Sequence, residues 1–244
     1  MFETIALRGG LARDVQRHFA RLQAGCALLR LNLPLDLAAI ERALDEVAVA
    51  NGLLEGGLRL TLTRGPAPRG LLPKTAARPT LLITGFRLPP VAGPLCVIVS
   101  SQIRRDEASP LSRIKSLNYL PNILARLEAE DANADDAILL NRAGLVAEAT
   151  TGNIFLKRHG KWLTPFVSDG ALPGICREKF LEAGQAQEAR IDAAWLSSAE
   201  AFCIGNVLSV RAVSRIGQVA VPTRDCLRDS LGTGTDIASV PGSG

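Results

Sequence analysis

The apolar positions of this chain follow two periods, and the period changes mark its elements. Residues 12–30 carry Val15, Phe19, Leu22, Cys26 and Leu29 at spacings of three and four, which predicts a helix with one buried face. Residues 35–52 predict a second helix, opened by Pro34 or Asp36 and closed by Asn51-Gly52. A weakly alternating run at 2–8 predicts a short strand. Apolar runs at 57–64, 79–86 and 95–101 predict three more. Loops rich in Pro and Gly, at 65–73 and 88–94, separate those three. The first half therefore reads as an α+β unit with a small, mostly antiparallel sheet.

The stretch 104–112, RRDEASPLS, is polar and aperiodic, and reads as a linker between a unit at 1–103 and a second at 113–231. Beyond it the pattern predicts a helix near 118–130 and strands at 136–140, 145–149, 153–157 and 161–164. Arg142-Ala143-Gly144 and His159-Gly160 are the hairpin signals. A Gly-Ala-Leu-Pro-Gly segment at 170–174 runs into a helix at 175–184. Strands at 200–204 and 209–218 close the unit. Residues 232–244 are small and polar and read as a flexible tail.

Two ionisable residues interrupt this pattern. Lys115 stands alone between apolar and small residues, and Glu148 is the lone acid of VAEATTGN. A helix and a strand lie between them, so some shared pocket must explain both. A pyridoxal phosphate (PLP) site would: the lysine forms the Schiff base, and the acid pairs with the protonated pyridine nitrogen so that the ring acts as an electron sink. Such a site also needs a phosphate cup. GALPGICRE at 170–178 offers glycines before a helix start, where backbone N–H groups bind anions.

Composition narrows the alternatives. With 244 residues and 47% hydrophobic content, the chain can bury one large core or two modest ones. The 28 basic and 24 acidic residues are mixed along it, for a net charge of +4. Only 4% of residues are aromatic and no basic stripe exists, so nucleic acid is not an expected partner. The arginine excess suits a small anionic substrate, and the PLP reading adds that it bears an amino group. Five scattered cysteines without a CxxC pair read as thiols in a reducing cytosol. The N-terminus lacks a signal pattern and no apolar run is long enough to span a membrane, so a soluble, cytoplasmic protein is expected. Two histidines cannot build a His-rich metal site, and His18 reads as a structural residue.

The segments IKSLNYLPNILA, ADDAILLNRAGLVAEATTGNIF, LTP and GALPGICRE together resemble the class IV (fold type IV) PLP enzymes. FET at 2–4, HFARL at 18–22, TRGPAPRG at 63–70 and EAFCIGNVLSVRAV at 200–213 extend the likeness over nearly the whole chain. That family includes branched-chain and D-amino acid aminotransferases and 4-amino-4-deoxychorismate lyases. It implies a two-domain α+β fold, with a small N-terminal α/β sandwich and a larger, β-barrel-like C-terminal domain with helices. It implies a homodimer with the site near the interface.

By the same resemblance, Lys115 is the Schiff-base lysine and Glu148 the partner of the pyridine nitrogen. Arg21 clamps the cofactor phosphate, helped by the backbone of Ile175 and Cys176 and by Asn206. Tyr119 either packs or bonds the phenolic oxygen of the cofactor, and Asn206 could equally serve turn geometry alone. Arg104 lies where lyase members have an arginine suited to a substrate carboxylate. Three departures stand out. Cys176 replaces a common threonine, Asn206 matches the lyases where aminotransferases often have threonine, and a strand-and-turn unit usual before FET does not precede Met1-Phe2. The resemblance implies a lyase converting 4-amino-4-deoxychorismate to 4-aminobenzoate and pyruvate through an external aldimine. A branched-chain or D-amino acid aminotransferase and a degenerate, non-catalytic member are the alternatives.

Overall fold

The computed structural model describes residues 1–72, 76–90, 93–223 and 226–227. The tail expected at 232–244 and parts of the loops at 65–73 and 88–94 lie outside the described residues. Four strands form the first sheet: β1 (Phe2–Arg8), β2 (Leu11–Ala12), β3 (Gly56–Thr63) and β4 (Thr80–Phe86). Their order is β2-β1-β3-β4, antiparallel throughout. Strand β3 alternates as its sequence demands, with Leu58, Leu60 and Leu62 buried. They pack with Ile5 and Leu7 of β1 against α1 (Val15–Leu29) and α2 (Leu37–Ala50), which contribute Leu22, Cys26, Ile40, Leu44 and Ala48. Burying each such leucine contributes roughly 2 kcal/mol. Asp36 caps α2, accepting from the Ala39 N–H at 2.8 Å, a bond worth about 1 kcal/mol. Asp14, at the head of α1, makes no such cap. Its carboxylate instead accepts from Lys179 at 2.9 Å, across the boundary between the two halves.

The second sheet holds β5 (Leu95–Arg105), β6 (Asp136–Asn141), β7 (Val146–Ala149), β8 (Asn153–Arg158), β9 (Lys161–Pro165), β10 (Gln187–Ala189), β11 (Ala201–Gly205), β12 (Val210–Ile216) and β13 (Val219–Ala220). The order is β10-β9-β8-β11-β12-β5-β6-β7, with β13 added on β12. Strands β5 and β6 are parallel, so a crossover must join them. The helix α3 (Leu120–Asp131) supplies it, seated on the sheet through Ala125 and Ala129. The sheet curls until its ends meet. The Val146 N–H donates to the Ile191 carbonyl at 2.9 Å, and Leu145 bridges Asp192 just beyond β10. This curled sheet is the barrel-like body that the family resemblance implied. It encloses Leu95, Val97, Ile138, Leu156, Phe202 and Val213, among others.

One placement differs from the sequence reading. The strand expected at 95–101 in the first sheet belongs to the second, between β12 and β6, and runs on to Arg105. The stretch read as a linker, 104–112, therefore opens as strand and passes into a 3-10 turn at Pro110–Arg113. Both neighbours of β5 are parallel partners from far along the chain, a relationship that local periodicity does not encode. The strand expected at 209–218 is β12, which stops at Ile216; β13 pairs back on it after a turn at Gly217, whose φ of 57° suits a tight turn.

Candidate active site

Where the two sheets face each other they leave a cavity of about 380 Å³. Lys115, Tyr119, Glu148, Arg21, Ile175, Cys176 and Asn206 all line it, with Phe2, Arg59 and several glycines between them.

Lys115 reaches the cavity because its backbone is fixed from the other half of the molecule. Its carbonyl accepts from the Phe2 N–H at 3.0 Å, and the preceding Ile114 is buried in the first core. The Lys115 amine donates to the Tyr119 hydroxyl at 3.2 Å and stands 4.5 Å from the centre of the Phe2 ring. Burial drives its pKa down to about 8, with the Arg21 charge acting in the same direction. Burial raises Tyr119 to about 12, so its hydroxyl keeps its proton at neutral pH. Tyr119 immediately precedes α3, and Pro121 in the first helical turn holds the helix start beside it.

Glu148 comes from β7, every residue of which is buried. One carboxylate oxygen lies 3.1 Å from the Arg105 Nε, and the other accepts from the Leu172 N–H at 2.9 Å. Burial pushes this carboxyl above its ordinary range, while the Arg105 charge and the Leu172 bond oppose the shift.

The third boundary is suited to an anion. Helix α4 (Ile175–Glu182) starts at Gly174 with no side-chain cap, so its first turn presents backbone N–H groups and the positive end of its dipole to the cavity. The Arg21 guanidinium lies beside it, donating to the Pro173 carbonyl at 3.0 Å. Close approach is built in. A Cβ on Gly174 would lie 1.9 Å from the Asn153 Oδ1, and one on Gly205 would lie 2.9 Å from the Phe155 ring. Asn206 lines the same end, with its side chain bound to its own turn. It accepts from Leu208 and Ser209 and donates to the Thr151 carbonyl.

The structure does not bring Arg104 into the cavity. It is exposed and donates to the carbonyls of Ser100 and Ile103. Neighbouring strand residues point to opposite faces, so it is Arg105 that turns inward to Glu148. Two contributors escaped the sequence reading. Arg105 lay inside the stretch read as a linker. Arg59 lies 3.9 Å over the Phe2 ring and lines the cavity. A lone arginine between Leu58 and Leu60 was its available signal. Among the described residues no cluster of His, Cys, Asp or Glu could hold a metal ion, and no helix is long and apolar enough to cross a membrane.

The pattern of the class IV amino-transferase family matches residues 1–216, and the chain belongs to that family. An aminodeoxychorismate lyase of Bacillus subtilis is 27% identical over 230 residues, 90% of this chain and 78% of its own. A D-alanine aminotransferase of Bacillus licheniformis is 32% identical over 188 residues, 75% of this chain and 64% of its own. The crystal structure of 4-amino-4-deoxychorismate lyase from Pseudomonas aeruginosa superposes with a TM-score of 0.79 at 28% identity, covering 92% of this chain and 86% of that one. A T.th. branched-chain amino acid aminotransferase, solved with pyridoxamine 5'-phosphate, has the same fold, with a TM-score of 0.82 at 24% identity over 92% and 78% of the two chains. The chain spans 62%, 49% and 34% of the length of three aminotransferase-family relatives, one from Methanocaldococcus jannaschii and two from Arabidopsis thaliana.

Proposed function

We propose that this chain is a PLP-dependent enzyme that converts 4-amino-4-deoxychorismate to 4-aminobenzoate and pyruvate. The observation that carries the cofactor reading is that Lys115 and Glu148 bound one cavity, with Arg21 and the start of α4 beside them. The residues present fit the group. An anion-binding helix start, a partly neutral amine and a buried acid line one cavity. Bound there, PLP supplies an electron sink for charge developing on the substrate.

The roles of the side chains follow from their surroundings. Arg21 and the backbone of Ile175 and Cys176 hold the phosphate, and the Asn206 turn closes that end. Glu148 would hold the ring nitrogen, its carboxyl oriented by Arg105 and the Leu172 N–H, which oppose the upward shift that burial causes. Lys115 would hold the cofactor, and its Nζ can take and return a proton. With a pKa near 8, both protonation states are within reach at neutral pH. Tyr119 orients that amine through its hydroxyl. The Phe2 ring supplies an apolar wall beside the amine.

The lyase assignment is supported by the Asn206 position and by lyase relatives that match along most of the chain. The test is direct. Purified protein incubated with PLP and 4-amino-4-deoxychorismate is expected to release pyruvate and 4-aminobenzoate in equal amounts. A second reading, an aminotransferase of branched-chain or D-amino acids, is supported by the 32% identity to the D-alanine enzyme. It predicts that amino acids alone convert the bound aldehyde cofactor to its amine form. Failure of the first assay together with success of the second would reverse the order.

A second copy of the chain is the expected partner. Leu120, Ile123, Leu124 and Leu127 form one stripe along α3, all exposed, and Ile123 also lines the cavity. A partner packed on this stripe would complete the cavity wall.

A further inference from the structure

The anion end of the cavity rests on a buried group that the roles above leave unused. Glu3 of β1 and His18 of α1 are almost fully buried, at 1% and 2% exposure. The Glu3 carboxylate takes both sides of a fork from Arg21, Nε at 2.9 Å and Nη2 at 2.5 Å. His18 Nδ1 lies 2.7 Å from the oxygen that Nη2 also uses. With Nη1 on the Pro173 carbonyl, the guanidinium is held through three of its five N–H groups. One N–H remains on each terminal nitrogen, and the group cannot rotate to choose another direction.

We propose that Glu3 and His18 are positioning residues for the cofactor phosphate: they fix the Arg21 guanidinium so that its two remaining N–H groups present themselves to the anion. This rests on the PLP reading above.

Two observations separate this role from simple packing. First, a loose arginine at a cavity edge spreads over many rotamers, and ordering it on binding would subtract from the affinity for the anion. The fork from Glu3 removes that freedom beforehand. Second, the His18 ring sits in an apolar corner. A cavity of about 10 Å³ beside it is walled by Ile5, Phe19, Leu22, Ile40 and Leu60, and Nε2 has no partner among the described residues. A phenylalanine would fill this corner without stranding a polar atom. What the imidazole adds is its bond to Glu3. Burial holds His18 below its ordinary pKa, so the neutral ring carries its proton on Nδ1 and donates it to the carboxylate. Burial alone would raise Glu3, but the bonds from His18 and Arg21 outweigh it and keep the carboxylate ionised.

The test compares two ligands that differ only in the phosphate. Full-length wild-type, Glu3→Gln and His18→Phe proteins are titrated with PLP and with pyridoxal, and the absorbance of the lysine-bound form reports occupancy. The expected result is a loss of about tenfold or more in PLP affinity for Glu3→Gln, with pyridoxal affinity unchanged. His18→Phe is expected to move the same ratio in the same direction by less, and it decides the matter alone should Glu3→Gln fail to fold. Variants that keep the wild-type preference for PLP over pyridoxal overturn the inference, as do variants that lose both ligands equally, since that marks a merely structural role. A wild-type protein without any preference for PLP overturns the phosphate assignment itself, and this inference with it.

Discussion

The Nε of Arg105 lies 3.1 Å from a carboxylate oxygen of Glu148. This contact sets the charge at one end of the cavity. Glu148 is buried on a strand whose other residues are apolar, and Arg105 also ties the 3-10 turn to the 170–174 segment through the carbonyls of Ser112 and Gly170.

Replacing Arg105 with Met should therefore leave Glu148 as a buried acid without its cation. Its carboxyl already titrates above the ordinary range, and the substitution raises it further. A carboxyl whose folded pKa lies above its unfolded value favours folding fully only below the unfolded value, and loses that contribution as pH rises through the folded one. The variant is expected to be less stable than wild type by about 3 kcal/mol at pH 8, with the gap narrowing as the pH falls toward the ordinary carboxylate range. Urea unfolding at a series of pH values measures it.

Lys115 gives the opposite sign in the same kind of experiment. Its pKa falls from 10.5 to about 8 on folding. Below about pH 8 the buried ammonium opposes folding by about 3 kcal/mol, and this penalty fades as pH rises toward 10.5. Lys115→Met should consequently be the more stable protein at pH 7, with its advantage gone once the pH passes the ordinary lysine value. The same variant should show no absorbance of a lysine-bound cofactor. In wild type, the rate of cofactor capture should rise with pH through about 8, as the amine becomes neutral.

Gly174→Ala tests the cradle. The added Cβ would meet the Asn153 Oδ1 at 1.9 Å, so Asn153, whose amide donates to the Leu172 carbonyl at 2.9 Å, must move. Leu172 is also the residue whose N–H holds Glu148. The expected outcome is PLP affinity lowered by about tenfold or more, with a fall in melting temperature of a few degrees. Equilibrium titration and calorimetry read both.

Leu124→Glu tests the exposed stripe of α3. A charge at the centre of an apolar interface between copies would be desolvated without a partner. The variant is expected to sediment as a monomer where wild type sediments as a dimer, with its helix content unchanged. A wild-type protein that is monomeric at tens of micromolar would remove the second copy from the proposal.

Much of the molecule was legible before any coordinates. Lys115 and Glu148 betray themselves as single charges inside apolar runs, and Asp36 marks the start of α2 by the chemistry of its side chain. What stayed hidden depends on neighbours distant in sequence. The place of β5 between β12 and β6 follows from two parallel pairings. The choice of Arg105 over Arg104 follows from strand register, and a shift in the β5–β6 pairing between Val99 and Arg104 makes that register unreadable from alternation alone. The two-residue strand β2 and the three-residue strand β10 are too short to leave a period. His18 read as a structural residue and Glu3 stood only within the segment FET. Only the packing of α1 on β1 shows that they meet at one arginine.

The bond from the Phe2 N–H to the Lys115 carbonyl has a bearing on synthesis. The amine is moored to β1, while the acid hangs on β7, far along the chain, and each lies beside a different core. Neither half alone carries the proposed cofactor site, so on that reading cofactor capture would report that both have folded and joined. On the PLP reading, cofactor absorbance should appear in newly made protein only after β7 and the start of α4 are in place.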